Sequence, residues 1–135
     1  MTVERINPPQ LYNSLQYGFS HASLQKGGKT LHLAGQVAWD SQCNIVGGAD
    51  HAAQTRQALA NLKVVLAAAG CTPADVIRIR IFVVNHTPDK LGPILGEVGA
   101  FFGDATPSPN TFIGVAALAL PDFLVEIEAT AAVPD

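Results

Sequence analysis

The sequence predicts an α/β domain of the α+β two-layer kind, with elements in the order β-β-β-α-β-α-β-β and a mixed sheet covered by two helices on one face. Three observations carry this expectation. "VIRIRIFVV" (76–84) and "FLVEIEATAAV" (123–133) alternate with a two-residue period, as strands buried on one side do. Residues 51–69 instead repeat apolar positions every three or four residues, which gives a helix one buried stripe. Helical spacing returns between 87 and 103, set off by turn residues on both sides. Strands interspersed with amphipathic helices bury their apolar faces as a helix layer on a sheet.

In chain order, "FSHASLQ" (19–25) and "TLHLAGQVAWD" (30–40) are two alternating runs joined by the turn "KGGK". In the second run Leu31, Leu33 and Val37 share one face, and His32, Ala34 and Gln36 the other. Gly35 sits mid-strand, where glycine weakens pairing and marks a bulge or a close approach by another group. "SQCNIVGGAD" reads as a loop with a short extended piece at 44–46, the third strand. Asp50 then caps a helix whose stripe is Ala52, Thr55, Leu59, Leu62, Leu66 and Ala69, with Gly70 just past its end. Pro73 bars continuation.

In 76–84, Ile77, Ile79, Ile81 and Val83 face one way, and Arg78, Arg80 and Phe82 the other. Thr87 before Pro88 is a capped helix start. Leu91, Leu95, Val98 and Phe102 continue at helical spacing, but Gly92, Pro93, Gly96 and Gly99 weaken it, which predicts a turn and then a helix from about 93. Strands at 110–118 and 123–133 follow the loop "DATPSP". In the last strand Phe123, Val125, Ile127 and Ala129 point to the helices, while Leu124, Glu126, Glu128 and Thr130 point away. A sheet face bearing Arg78, Arg80, Glu126 and Glu128 is either wet or packed on another subunit.

Composition narrows the function classes. The 135 residues suit one domain, 1–135. Charged residues are only 14% against 48% hydrophobic, which favours covering some of the surface with identical subunits. A net charge of −3, with no run of Lys or Arg, argues against nucleic acid as the main partner. The N-terminal residues lack a basic segment followed by an apolar one, and no window reaches membrane-span length. Cys43 and Cys71 read as reduced thiols, which together with those absences predicts a cytoplasmic protein. His21, His32, His51 and His86 lack metal-ligand spacing, and no phosphate-binding glycine motif occurs, so neither a metal nor a cofactor is expected.

The ordered set "FSHAS", "LHLAGQVAWD", "QTRQALANLKVVLAAAG", "IRIFVV", "VGAFFG" and above all "PNTFIGVAALALPDFLVEIEAT" resembles the RidA/YjgF/liver perchloric-acid-soluble protein family from about residue 5 to 133. The resemblance implies a chorismate-mutase-like fold and a homotrimer whose sheets form a central barrel, with small-molecule clefts between subunits. It implies cofactor-free hydrolysis of reactive imines and enamines such as 2-aminoacrylate to a ketoacid and ammonia. On that resemblance Glu126 falls on the catalytic, water-positioning carboxylate. The ligand side falls on Phe19, Gly35, Thr87, Asn110, Thr111 and Phe112.

Two of those positions depart from the family. "YGFS" places Phe19 where the family has Tyr, and Asn110 stands where it has a carboxylate-binding Arg. An Arg offers a charged planar fork, whereas Asn offers only neutral hydrogen bonds. Losing one partner of such a buried pair costs about 2–5 kcal/mol. Asn110 and Phe19, with Phe112 nearby, predict a more apolar cleft and a neutral or aromatic ligand unless Arg78 or Arg80 enters it. The residues leave Glu126 as an acid–base group, an ion-pair partner of an Arg across the barrel, or a cap on backbone donors. Three functions stay open: a hydrolase with altered substrate, a non-catalytic trimeric metabolite binder and, last, an endoribonuclease.

Overall fold

The computed structural model describes residues 1–135. Strands β1 (Thr2–Ile6), β2 (Ala22–Lys26) and β3 (Lys29–Gln36) precede helix α1 (His51–Ala68), strand β4 (Val76–Val84), helix α2 (Leu91–Phe102), and strands β5 (Asn110–Val115) and β6 (Val125–Val133). The element string matches the expected one, but two of its members differ. The 44–46 piece is a single bridge, Trp39 to Ile45, and the remaining strand is Thr2–Ile6. That strand pairs antiparallel with β2, from Thr2 opposite Lys26 to Ile6 opposite Ala22.

The strands form two ladders. The larger is mixed, in the order β3-β6-β4-β5, with β4 and β5 parallel and joined through α2. The smaller is the β1–β2 pair. "KGGK" does turn the chain, with Gly27 and Gly28 both at positive φ as a tight hairpin turn requires, yet the two runs it joins belong to different ladders. The strand ends are also shorter than expected: β5 stops at Val115, and β6 begins at Val125, after the 116–124 connection.

One core lies between the mixed sheet and the helices. The sheet contributes Ile79, Ile81, Val83, Val125, Ile127 and Ala129, all buried as the alternation predicts. At the start of β4 the register slips between Val76 and Arg78, so Val76 is buried in place of the expected Ile77. Such a bulge reorients side chains locally. Helix α1 buries Thr55, Leu59, Leu62 and Leu66 as expected, together with Ala58 and Gln54. Asp50 caps it, accepting from the N–H groups of Ala52 at 2.9 Å and Ala53 at 3.2 Å. Helix α2 begins at Leu91, earlier than its glycines suggest, and buries Ile94, Val98, Phe101 and Phe102. Leu91 is exposed and Leu95 half-buried, so the stripe is turned by one position from the expected one. Packing of four large side chains outweighs the propensity cost of Gly92, Gly96 and Gly99, which is about 1 kcal/mol each.

Gln54 is the polar residue inside this core. Its Nε2 donates to the carbonyls of Gly48 (2.6 Å) and Asp122 (2.9 Å), and its Oε1 accepts from the N–H of Leu124 (2.9 Å). One side chain thereby fixes the loop before α1 and the entry to β6. Gln54→Leu leaves three buried backbone groups unpaired, at about 1–3 kcal/mol for each that finds no water. The expected outcome is a loss of about 2–4 kcal/mol in urea unfolding at matched protein concentration.

Candidate functional site

Residue Glu126 lies on the face of β6 turned away from the helices, opposite Phe82 of β4. On the other side of β6, β3 is irregular between Leu33 and Gln36, and this is where Gly35 sits. A Cβ on Gly35 would come within 2.8 Å of Glu126 Cδ and 2.9 Å of its Cγ. The glycine is therefore the space in which the Glu126 side chain lies, the close approach its mid-strand position predicts. The Glu126 carboxylate takes part in no salt bridge or hydrogen bond of the chain. The neighbouring acid does: Arg80 Nη2 meets Glu128 Oε2 at 3.0 Å, and the Arg80 guanidinium stands 5.6 Å over the Phe82 ring. Of the three readings of Glu126, an Arg partner and a cap on backbone donors are not realised within this chain.

A second group of residues forms a groove of about 390 Å³ between the β1–β2 hairpin and the starts of β4 and β5. Phe19, Ile77, Arg78, Pro109, Asn110 and Thr111 line it. Its walls are held by polar clamps. Arg5 donates to Ser23 Oγ (2.8 Å) and to the carbonyls of Ala74 and Thr106 (3.3 Å each), tying the hairpin to both strand starts. Burial holds the Arg5 guanidinium below its ordinary pKa, partly opposed by Asp75. Ser20 Oγ donates to the Pro107 carbonyl at 2.6 Å, and the Ser20 N–H to that of Ser108 at 3.1 Å. Asn7 Oδ1 accepts from the His21 N–H at 2.8 Å. These bonds place Phe19 beside Asn110.

Residue Asn110 is half-buried, and its Oδ1 is buried without a partner. The wall around Phe19 contains an aromatic residue that the sequence reading passed over. The Tyr12 ring lies 6.3 Å from Phe19 and 4.8 Å from His21, and His21 Nε2 contacts the Tyr12 carbonyl at 2.9 Å. A phenol thus stands next to the position where the expected hydroxyl is missing. The only sequence signal was the clustering of aromatics in "LYNSLQYGF".

The remaining candidates fall elsewhere. Phe112 shares the side of Ile81, packs on the core and meets the His86 ring at 4.8 Å, outside the groove. The Thr87 hydroxyl donates to Asp89 and accepts from Lys90 Nζ at 3.0 Å. That hydroxyl holds the Asp89 carboxyl below its usual range. Asn110 is opposite Ile79 and Ala129, whereas Glu126 is opposite Phe82 and Ile113. Two strands and three residues separate them, about 14 Å between Cα atoms at 3.3 Å per residue and 4.8 Å per strand. Within one chain, Gly35 and Glu126 come together, and Phe19, Asn110 and Thr111 come together, but the two groups do not.

The family model described as Endoribonuclease L-PSP matches residues 14–133. The chain belongs to the RidA/YjgF family. Its structure superposes on the crystal structure of the Rid-family protein YyfB from Yersinia pestis with a TM-score of 0.95, at 57% identity over 98% of this chain and 99% of that one. It is 34% identical to a RutC family protein of Pyrococcus horikoshii over 78% of this chain and 81% of that protein. It is 30% identical to a 2-iminobutanoate/2-iminopropanoate deaminase of Dermatophagoides farinae over 67% of this chain and 69% of that protein. The α+β fold of this RidA/YjgF chain is that of its solved relatives. No helix is long and apolar enough to cross a membrane, and no group of three or more His, Cys, Asp or Glu is placed to hold a metal.

The contact between Gly35 and Glu126 has a direct test. Gly35→Ala forces the Glu126 side chain aside and is expected to destabilise the protein by about 1 kcal/mol. In a Glu126→Ala background the three nearest atoms are gone and Gly35 is not at positive φ, so the same substitution is expected to lose most of that penalty. Glu126→Gln keeps the side chain's shape and should retain the penalty. Urea unfolding of the native protein, the three single variants and the two double variants measures the coupling.

Proposed function

We propose that this RidA/YjgF protein is a hydrolase of small imines or enamines, acting in clefts completed by neighbouring copies in a homotrimer, on a substrate other than the 2-imino acids of its deaminase relatives. The observation that carries the reading is the Glu126 carboxylate, half-buried over Gly35 and free of any partner in its own chain. Hydrolysis of a C=N bond needs water to attack carbon and a proton to reach nitrogen. A carboxylate can pass one proton from the attacking water to the imine nitrogen and then the second from the adduct's hydroxyl to the same nitrogen, so that ammonia departs from the tetrahedral adduct and a carbonyl compound remains. No redox step or cofactor is required. The separation of about 14 Å between the Glu126 and Asn110 Cα atoms, in different hollows of one chain, supports a cleft built from two chains. The ligand side would then be Phe19, Gly35, Asn110 and Thr111, without Thr87 and Phe112.

What supports an altered substrate is Asn110. It cannot supply the charged fork that a carboxylate takes from Arg, a difference of about 2–5 kcal/mol, or roughly 30-fold to several-thousand-fold in binding or rate. The same residue, with Phe19, favours the second reading, a trimer that binds a metabolite without turning it over. The endoribonuclease reading finds no basic stripe in a chain of net charge −3.

The deciding experiment is 2-aminoacrylate hydrolysis, followed as pyruvate, for the native protein, Asn110→Arg and Glu126→Gln. The expected pattern is slow native turnover, a gain of tenfold or more in Asn110→Arg, and a loss of about 10²–10⁴ on adding Glu126→Gln to Asn110→Arg. Silence in the native protein and in Asn110→Arg alike favours the binding protein.

A further inference from the structure

The groove beside Phe19 contains one cation, Arg78, and no acidic residue. Arg78 is exposed and belongs to none of the four ion pairs of the chain. The nearest acid on its sheet face is Glu128, which borders a hollow on the other side of Arg78. Glu128 is already engaged by Arg80 at 3.0 Å. Arg80 is thus committed and Arg78 is not. Arg78 keeps the outward parity of Arg80 and Phe82, but it stands at the start of β4, where the strand borders the groove, while Arg80 lies two residues further on, beside Glu128.

Of the other polar groups lining the groove, Ser20 is bonded to the Pro107 carbonyl, Ser23 to Arg5 and His21 to the Tyr12 carbonyl, which leaves Asn110 and Thr111 without a partner. Asn110 has its Oδ1 buried, which leaves the amide Nδ2 as its accessible end. The Thr111 hydroxyl is exposed and bonded to nothing else in the chain. Phe19, Ile77 and Pro109 supply apolar wall. A guanidinium, an amide N–H and a hydroxyl converging on an apolar wall match a small planar anion with an apolar body.

We infer that Arg78 is the anion-binding residue of this groove, and that its ligand is a small carboxylate with an aromatic or branched apolar group. This rests on the reading of the groove as the ligand side of the site, and it revises the neutral ligand that Asn110 suggests. The charge moves from the start of β5 to the start of β4, so the carboxylate binds against the neighbouring strand and its body against Phe19. The apolar wall favours a carboxylate with an apolar body over a bare inorganic anion.

The probes are benzoate, its neutral isostere benzamide, and inorganic phosphate, titrated into the full-length protein by calorimetry. Benzoate is expected to bind and to weaken with added salt, with benzamide at least about tenfold weaker. Arg78→Gln should weaken benzoate about tenfold or more and leave benzamide unchanged. Arg78→Lys should recover part of the loss, and Arg56→Gln, a cation on the helix layer paired with Glu97, should change nothing. Arg78 makes no hydrogen bond within the chain, so Arg78→Gln is expected to melt with the native protein. Equal affinity for benzoate and benzamide, an unchanged Kd in Arg78→Gln, no benzoate binding, or a preference for phosphate each overturns the assignment. Benzoate binding that depends on Arg78 in a protein without hydrolase activity sinks the hydrolase reading alone. Hydrolysis indifferent to Arg78 sinks this inference alone.

Discussion

The alternation along β6 is the constraint on which the rest of the structure depends. This strand is bordered by β3 on one side and β4 on the other, so it is central to the mixed sheet. Val125, Ile127, Ala129 and Ala131 are buried beneath the helices, and Leu124, Glu126, Glu128 and Thr130 face away. A one-residue slip would bury both carboxylates in an apolar core, at a desolvation penalty no partner there could offset. The register is therefore fixed by chemistry on both faces, and the neighbouring strands inherit it. Gln54 reinforces it from the helix side by holding the Leu124 N–H where the strand begins.

Function follows from what that register does to two acids spaced by two residues. Glu128 finds Arg80 on the adjacent strand and becomes part of a surface ion pair worth little to stability. Glu126 meets Phe82 on one side and the bare backbone of Gly35 on the other, and remains without a partner. A half-buried carboxylate that the fold accommodates but does not pair is available to a substrate or to another chain. The groove at Phe19 has the matching property from the opposite charge: Arg78 is held near apolar walls with no acid beside it. This outer sheet face thus carries one carboxylate, Glu126, and one guanidinium, Arg78, that have no partner in the chain, and they lie apart on it.

The polar clamps make the groove a built feature. Ser20 and Arg5 hold the β1–β2 hairpin against Pro107, Ser108 and Thr106 through bonds of 2.6 to 3.3 Å, and Asn7 braces the hairpin from within through the His21 N–H. These are interactions between residues about 15 to 100 positions apart in sequence. They explain why "TVERI" is a strand: its isolated pairing with β2 would be marginal, and Arg5 fastens it to the loops beside β4 and β5.

Local sequence determined the helix α1 with its Asp50 cap, the burial parity of β4 and β6, the need for glycine at 35 and the family itself, because each depends on periodicity or on residues close in the chain. The tertiary structure alone decided the rest. It promoted Thr2–Ile6 to a strand and reduced 44–46 to a bridge, since pairing needs a partner edge that local pattern cannot supply. It turned the α2 stripe onto Ile94 and Phe101, because the sheet chose which face fits. It removed Phe112 from the groove and set Thr87 between Asp89 and Lys90. It also brought Phe19, Pro109 and Asn110 beside Arg78, because the groove joins three segments far apart in the chain, which the alternation of "VIRIRIFVV" does not encode.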